Sequence, residues 1–281
     1  MTISAGASPA GTVGPTTVGP TTVGPTTVGP GTVGPGTVGA AVWAALGRVR
    51  DPELDEPVTD LGFVASCRVT CSGTATVRLR LPTYFCAPNF AFLMVADAYD
   101  AVSGVAGVSR AEIVLEDHFA AEAINGGVAA RAGFVRSFDG LATAELDELR
   151  ADFLRKAVLA GTDRVCRPLL AAGRGIDDLA ALTLGEAPAS ADRERLRARR
   201  AELGLPADDA DPLLIDPATG AAVGERALPL HLRKSRLTRV SVEANGAVCR
   251  GLLRERYPRT GGENGRGENG RSGNGTGEEE R

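Results

Sequence analysis

The stretch TATVRLRL, residues 74–81, limits the fold more than any other part of the chain. Ala75, Val77, Leu79 and Leu81 alternate with Thr74, Thr76, Arg78 and Arg80, and a period of two sends successive strand side chains to opposite faces. One face is apolar and the other is charged, so the strand needs a sheet covered on one side and wetted on the other. Upstream, DLGFVASCRVT sets Phe63, Ala65, Cys67, Val69 and Cys71 against Ser66, Arg68 and Thr70, which predicts a strand over about 62–70. Downstream, SRAEIVLED directs Ala111, Ile113 and Leu115 one way and Arg110, Glu112 and Glu116 the other.

Helical spacing fills the gaps between these runs. In AAVWAALGRVR, Val42, Leu46 and Val49 recur with Trp43 beside them, which predicts a helix over 40–49 that stops where Pro52 disfavours helix at Asp51. In PNFAFLMVADAYDAVSG, Phe90, Leu93, Met94, Ala98 and Ala101 share a stripe, with Gly104 as its stop. The order α-β-β-α-β makes a small α+β domain over 40–119, a three-stranded sheet with helices on one face.

The flanks read differently. From Gly11 to Ala40 the chain repeats every five residues, as in TTVGP. One valine per unit cannot bury a face, and proline removes a backbone donor in nearly every unit. Residues 1–39 are therefore expected to be a disordered tail, and so is the Gly, Asn, Glu and Arg segment 259–281. Residues 120–258 carry helix-like patterns at 120–133, 143–160, 164–172, 176–184 and 190–203. Asn245-Gly246 then lies between β-rich runs, a signal for a type I′ turn. The expected extension is mostly helical with a terminal hairpin.

Composition excludes several classes. The 281 residues are 43% apolar and carry a net charge of −4, which gives no reason to expect nucleic acid as a partner. No secretory leader pattern opens the chain, and no run approaches the ~20 apolar residues a membrane-spanning helix needs, so a cytoplasmic location is expected. Five cysteines in a reducing compartment are thiols or metal ligands rather than a disulfide frame. There is no GxGxxG after a strand, no GxxxxGK[ST], no GxSxG and no CxxC. The arginine-rich DRERLRARRAELG interleaves acids and lacks aromatics, which reads as a solvated helix face or a protein-docking surface.

Among the cysteines, Cys67 and Cys71 would be about 13 Å apart along a strand, too far to share an ion, and sit on the apolar parity as small buried groups. Cys166 and Cys249 each stand alone in a patterned run and take the same reading. Cys86, in RLPTYFCAPNF, lies at the hinge of a strand and a helix that starts near Pro88. There it is either a loop thiol tucked under Phe85 and Phe90, or a thiol near the positive end of a helix, where the thiolate that ligates metal is favoured. The acids of RDPELDEPVTDLG, Asp51, Glu53, Asp55, Glu56 and Asp60, are either turn formers and solvated charges or oxygen donors folded near Cys86. His118 and His231 read as lone surface histidines, with His118 able to approach from the sheet end.

VWAALGRVRDPELDEPVTDLGFVASCRVT, TVRLRLPTYFCAPNF and GVSRAEIVLED together resemble the SufT- and PaaD-like iron–sulfur cluster assembly factors over about residues 41–119. Asp51, Pro52, Glu53, Asp60, Gly62, Thr83 and Cys86 fall on that family's motif positions. The resemblance implies a non-catalytic maturation factor for iron–sulfur or other metal-cofactor proteins. Cys86 would be the metal-binding thiol, and Asp51, Glu53, Asp60 and Thr83 would support its site. It also implies a transient, shared iron–sulfur cluster or iron as cargo, and as partners other iron–sulfur assembly proteins and a client metalloprotein, with a soluble di-iron monooxygenase as one candidate client. One ligating cysteine per chain cannot hold a cluster alone, so cargo would be shared with a partner or with another copy in a homodimer. The rival reading is an assembly chaperone or scaffold for such a monooxygenase without thiol chemistry. A thiol-dependent enzyme would need His118 as a base near Cys86.

Overall fold

The computed structural model describes residues 26–28 and 38–258, so most of the repeat and the segment from 259 onward lie outside the described residues. Strand β2 (Val64–Val69) pairs antiparallel with β3 (Thr74–Arg80), and β3 pairs parallel with β4 (Arg110–Glu116). Helix α2 (Pro88–Ser103) makes the crossover that parallel pairing requires. With α1 (Val38–Leu46) this gives the expected α-β-β-α-β order. One segment of the repeat is structured: β1 (Thr26–Val28), a run of β-branched residues, adds antiparallel to the free edge of the three-stranded sheet at β2.

The alternation in β3 holds as written. Ala75, Val77 and Leu79 are buried under α1 and α2, whereas Arg78 and Arg80 stand on the open face, both paired to Glu116. In β2 an irregularity at Val64 to Ser66 shifts the parity, so that Val64 and Cys67 point inward while Ala65 is only half-buried. The strand ends at Val69, which leaves Cys71 exposed in the following turn and corrects its expected burial. The free edge of β4 is closed by α3 (Ala121–Ala129): the side-chain amide of Asn125 accepts from Leu115 N–H at 2.8 Å and donates to Leu115 C=O at 3.0 Å.

The extension is mostly helical, with α4 (Phe134–Ser137), α5 (Asp147–Ala171), α6 (Ile176–Ala181), α7 (Ala191–Glu202) and α8 (Leu228–Arg256), and an irregular segment with isolated β-bridges between α7 and α8. The patterns at 143–160 and 164–172 are one helix, α5. Gly161 marks no break in it; a Cβ there would stand 3.3 Å from Leu196, so glycine lets α7 approach. The expected terminal hairpin does not form. Leu228, Ser235, Arg239, Val242, Gly246 and Leu253 are buried at steps of seven, four, three, four and seven residues, a helical seam that continues through Asn245-Gly246. Polar and small residues in that seam masked its period. Gly246 serves close approach rather than a turn: a Cβ there would meet Glu56 Oε1 at 2.9 Å.

The core divides into two clusters. One fills the space between the sheet, α1 and α2 and receives Leu253 from α8. The other joins α5, α7, α8 and the segment around Leu213. The arginine-rich helix is not simply a solvated face. Arg199 is buried against Asp55 at 2.7 Å, and Arg200 is fully buried, donating to the carbonyls of Pro212 and Leu213, with burial lowering its guanidinium to about 10.

Candidate functional site

The acidic loop after α1 is built around Asp51. Its Oδ1 accepts from Glu53 N–H and Leu54 N–H, both at 2.9 Å, an Asx turn that fixes the Asp-Pro-Glu segment. Asp51 is 8% exposed, and burial pushes its carboxyl up to about 6 against the pull of those two donors. The other acids of the loop turn outward to the extension. Asp55 pairs with Arg199 of α7 at 2.7 Å, Glu56 with Arg250 of α8 at 2.5 Å, and Glu53 accepts from Asn245 of α8 at 3.3 Å. Asp60 stays at an exposed turn, where its Oδ1 accepts from Thr59 Oγ1 at 3.2 Å. At Gly62, φ is +78°, a conformation that glycine adopts without strain.

The cysteine turn follows β3. Thr83 Oγ1 and Cys86 Sγ are 3.3 Å apart in a hydrogen bond that either can donate. Cys86 is partly exposed and packs against the core cluster of the sheet domain. Phe85 is no lid over the sulfur. It is 77% exposed, edge-on to Tyr84 at 5.0 Å and 6.0 Å from Phe119, and the three rings make an exposed aromatic patch beside the turn. Large contiguous apolar groups left in water mark surfaces that meet something else.

His118 is not a surface residue but 5% exposed, which corrects the expectation for it. Its Nδ1 lies 3.2 Å from the N–H of Ala120, which can only donate, so the proton is on Nε2, which donates to the carbonyl of Cys86 at 2.7 Å. Burial holds His118 below its usual range, and the neighbouring Arg256 adds to that. Both ring nitrogens are thus engaged, Nε2 with the turn and Nδ1 with Ala120, and neither is spare to take a proton from Sγ.

One residue of the site was not singled out by its motif. Cys249, on α8, is partly buried; burial first, then the negative charges of Asp51, Cys86 and Glu53, push its thiol up to about 11. Of the expected residues, Glu53 meets α8 through Asn245, whereas Asp51 is spent inside its own loop, Cys86 bonds Thr83, and Asp60 stays at its exposed turn. The signal that would have found Cys249 is the spacing 245, 249, 253 on a helix, which the Asn-Gly turn motif hid. Among the described residues, no three His, Cys, Asp or Glu side chains stand close enough to hold a metal ion. No helix among them is long and apolar enough to cross a membrane.

This architecture, a motif-bearing α-β-β-α-β domain with its acidic loop and cysteine turn at one end, has a match. Residues 39–113 fit the family described as iron–sulfur cluster assembly protein, consistent with the SufT- and PaaD-like resemblance. The match spans α1 to most of β4 and includes Asp51, Glu53, Asp60, Thr83 and Cys86; His118 and the whole extension lie beyond it. It supports a general role in cluster assembly or maturation. No curated protein and no solved structure matches the chain.

Proposed function

We propose that this chain is a non-catalytic, cytoplasmic maturation factor for iron–sulfur or other metal-cofactor proteins, which presents Cys86 to metal in transit to a client. The observation that carries this reading is a partly exposed thiol, bonded to Thr83, inside the matched domain and beside three exposed aromatic rings. Asp51 and Thr83 act by shaping the loop and the turn. Glu53 and Asp60 are accessible oxygen donors at the margin.

Iron or an iron–sulfur cluster is the cargo. A cluster takes four thiolates, so Cys86 supplies one ligand of a set completed by a client, another assembly protein or a second copy. The aromatic patch favours a partner that buries apolar surface on docking, since aromatic rings dominate the energetics of protein interfaces. We read 40–119 as the working domain and 120–258 as the part that buttresses it and contributes to client docking. The scaffold reading, an assembly chaperone for a soluble di-iron monooxygenase, draws on the same patch.

Anaerobic reconstitution with ferrous iron and sulfide separates the two. The expected result is a visible absorption band and bound iron in the wild type that fall to background in Cys86→Ala. Equal iron and an unchanged spectrum in the variant would remove Cys86 as a ligand and leave the scaffold.

A further inference from the structure

Helix α8 is patterned inside out. The face it buries holds Ser235, Arg239 and Gly246, while Leu230, Leu237, Val240, Val248 and Leu252 are exposed, Leu237 and Val248 at 64% and 59%. A surface helix ordinarily does the reverse, with its apolar stripe on the core and its polar residues in water. The charged residues between Leu237 and Leu252 are all engaged within the chain: Arg239 pairs with Asp163 and Glu243, and Arg250 with Glu56. What remains on the outer face is apolar or small, and a contiguous apolar face in water marks a surface that meets another molecule.

Gly251 narrows the choice. Glycine is poorly suited to a helix interior, yet a Cβ at this position would meet nothing within 4 Å among the described residues. No contact inside the chain requires glycine there, and its use is to admit something from outside.

The spacing indicates what that is. Arg233, Leu237, Val240, Ala244, Val248, Gly251 and Glu255 follow one another at steps of four, three, four, four, three and four residues. Such steps keep them on one helix face, and they read the same in both directions from Ala244. Against a second α8 laid antiparallel about a two-fold axis at Ala244, Leu237 of one copy faces Gly251 of the other, Val240 faces Val248, and Ala244 faces Ala244. Large side chains thus meet small ones, as ridges meet grooves between packed helices. The charges at the two ends are complementary as well. Arg233 lies eleven residues before Ala244 and Glu255 eleven after it, so the axis brings each Arg233 to Glu255 of the second copy, twice over. Both side chains are exposed, and neither forms an ion pair among the described residues. A parallel pair would set like charges together. Lys234, Arg236 and Arg254 lie to the flanks of this line.

We propose that α8 is a dimerisation element, pairing antiparallel with α8 of a second copy through this outer face. The stripe from Arg233 to Glu255 runs about 33 Å at ~1.5 Å per residue. A single helix pair of that length is at the small end of specific interfaces, so the expected dimer is reversible and of roughly micromolar affinity. The other face of α8 keeps its contacts to the acidic loop and, at Arg256, to Leu81 at the base of the cysteine turn. Arg256 lies twelve residues past the axis, which sets the two Arg256 positions about 36 Å apart. The Cys86 turns then stand toward opposite ends of the pair. A client or another assembly protein, rather than this second copy, would complete a cluster's ligands, a consequence that rests on the function proposed above.

Sedimentation velocity of the full chain, from about 1 to 100 µM, tests the pairing. The expected result is a monomer–dimer equilibrium. Leu237→Asp and Val248→Asp, both at exposed positions, should keep the circular dichroism spectrum and raise the dissociation constant at least ~tenfold, since each residue occurs twice in a two-fold interface. Arg233→Glu and Glu255→Arg should each weaken the dimer, and the two together should restore it. That rescue belongs to the antiparallel register alone. With a short bifunctional thiol reagent, Ala244→Cys should give a 244–244 link in peptide maps, and Leu230→Cys no 230–230 link. A chain that stays monomeric at about 100 µM, as it would if another part of the chain or a different protein covers this face, overturns the proposal. So does a dimer indifferent to Leu237→Asp, or one that the double charge exchange fails to restore. If the α8 dimer forms while Cys86→Ala still loads iron as the wild type does, the interface stands and the metal role falls.

Discussion

The acidic loop and the cysteine turn carry motifs of equal prominence, and the fold treats them in opposite ways. The loop is locked from inside by Asp51 and from outside by Arg199, Asn245 and Arg250. The turn is held at its backbone by His118, Phe119 and Arg256 and at its sulfur by Thr83, while its aromatic side chains stand in water. Carboxylates enclosed by guanidinium and backbone N–H groups are engaged in holding structure, whereas a thiol with one weak partner keeps its reactivity. The contrast agrees with the proposed reading, in which the loop is architecture and the turn meets partners.

The largest test of that contrast is Arg199→Ala. It removes the nearer of two arginine partners of the Asp55 carboxylate, which is 6% exposed, leaving Arg50 at 3.7 Å, and should cost about 3 kcal/mol in chemical denaturation. A loss under 1 kcal/mol would mean that the loop is not clamped. Next is Asp51→Ala, expected to cost about 1–3 kcal/mol by freeing the Glu53 and Leu54 N–H groups, while Asp51→Asn keeps an acceptor and should cost far less. If Asn were as harmful as Ala, the charge rather than the Asx turn would be the working feature.

The pH dependence sharpens the same point. The folded carboxyl of Asp51 is raised to about 6 from 3.8, so its contribution favours folding below the unfolded value and is lost as pH rises through 6, by up to about 2–3 kcal/mol. His118 has the opposite sign: its folded value is lowered, so its contribution is present above 6.5 and lost as pH falls. Between pH 7 and 5 the two oppose each other in the wild type. Asp51→Asn should expose a loss of stability on acidification, and His118→Gln a gain, read from midpoints at fixed ionic strength. Identical profiles in the two variants would refute both assignments.

The smallest expected effect on stability belongs to Cys86→Ser, within about 1 kcal/mol, since it alters one partly exposed atom at the edge of the core and keeps a hydrogen-bonding partner for Thr83. A loss above 2 kcal/mol would make Cys86 a core group and erase the distinction between loop and turn.

The sheet domain was legible because its signals are local. The alternation in 74–80 survives folding residue for residue, and the helix over 88–103 forms with Leu93, Met94 and Ala98 of the expected stripe buried, while Phe90 and Ala101 are only partly so and Ala91, Val95 and Val102 join the buried face. Position within the motif also located the Cys86 turn. Three features were not legible. Asn245-Gly246 carries a turn signal that the packing of α8 overrides, and the burial of Arg199, Arg200 and His118 depends on partners 12 to 144 residues away. The third, the docking of α8 on the acidic loop through Asn245 with Glu53 and Arg250 with Glu56, joins segments that share no pattern.

The sequence by itself determined the order of elements, the half-buried sheet and the placing of a thiol at a strand-to-helix turn, because periodicity and backbone chemistry act over a few residues. Only the tertiary structure decided which acids are spent on anchoring, that the histidine is a brace, and that a helix from the extension docks on the acidic loop and enters the sheet domain's core at Leu253. Those outcomes follow from desolvation and pairing between distant segments, which no local pattern encodes.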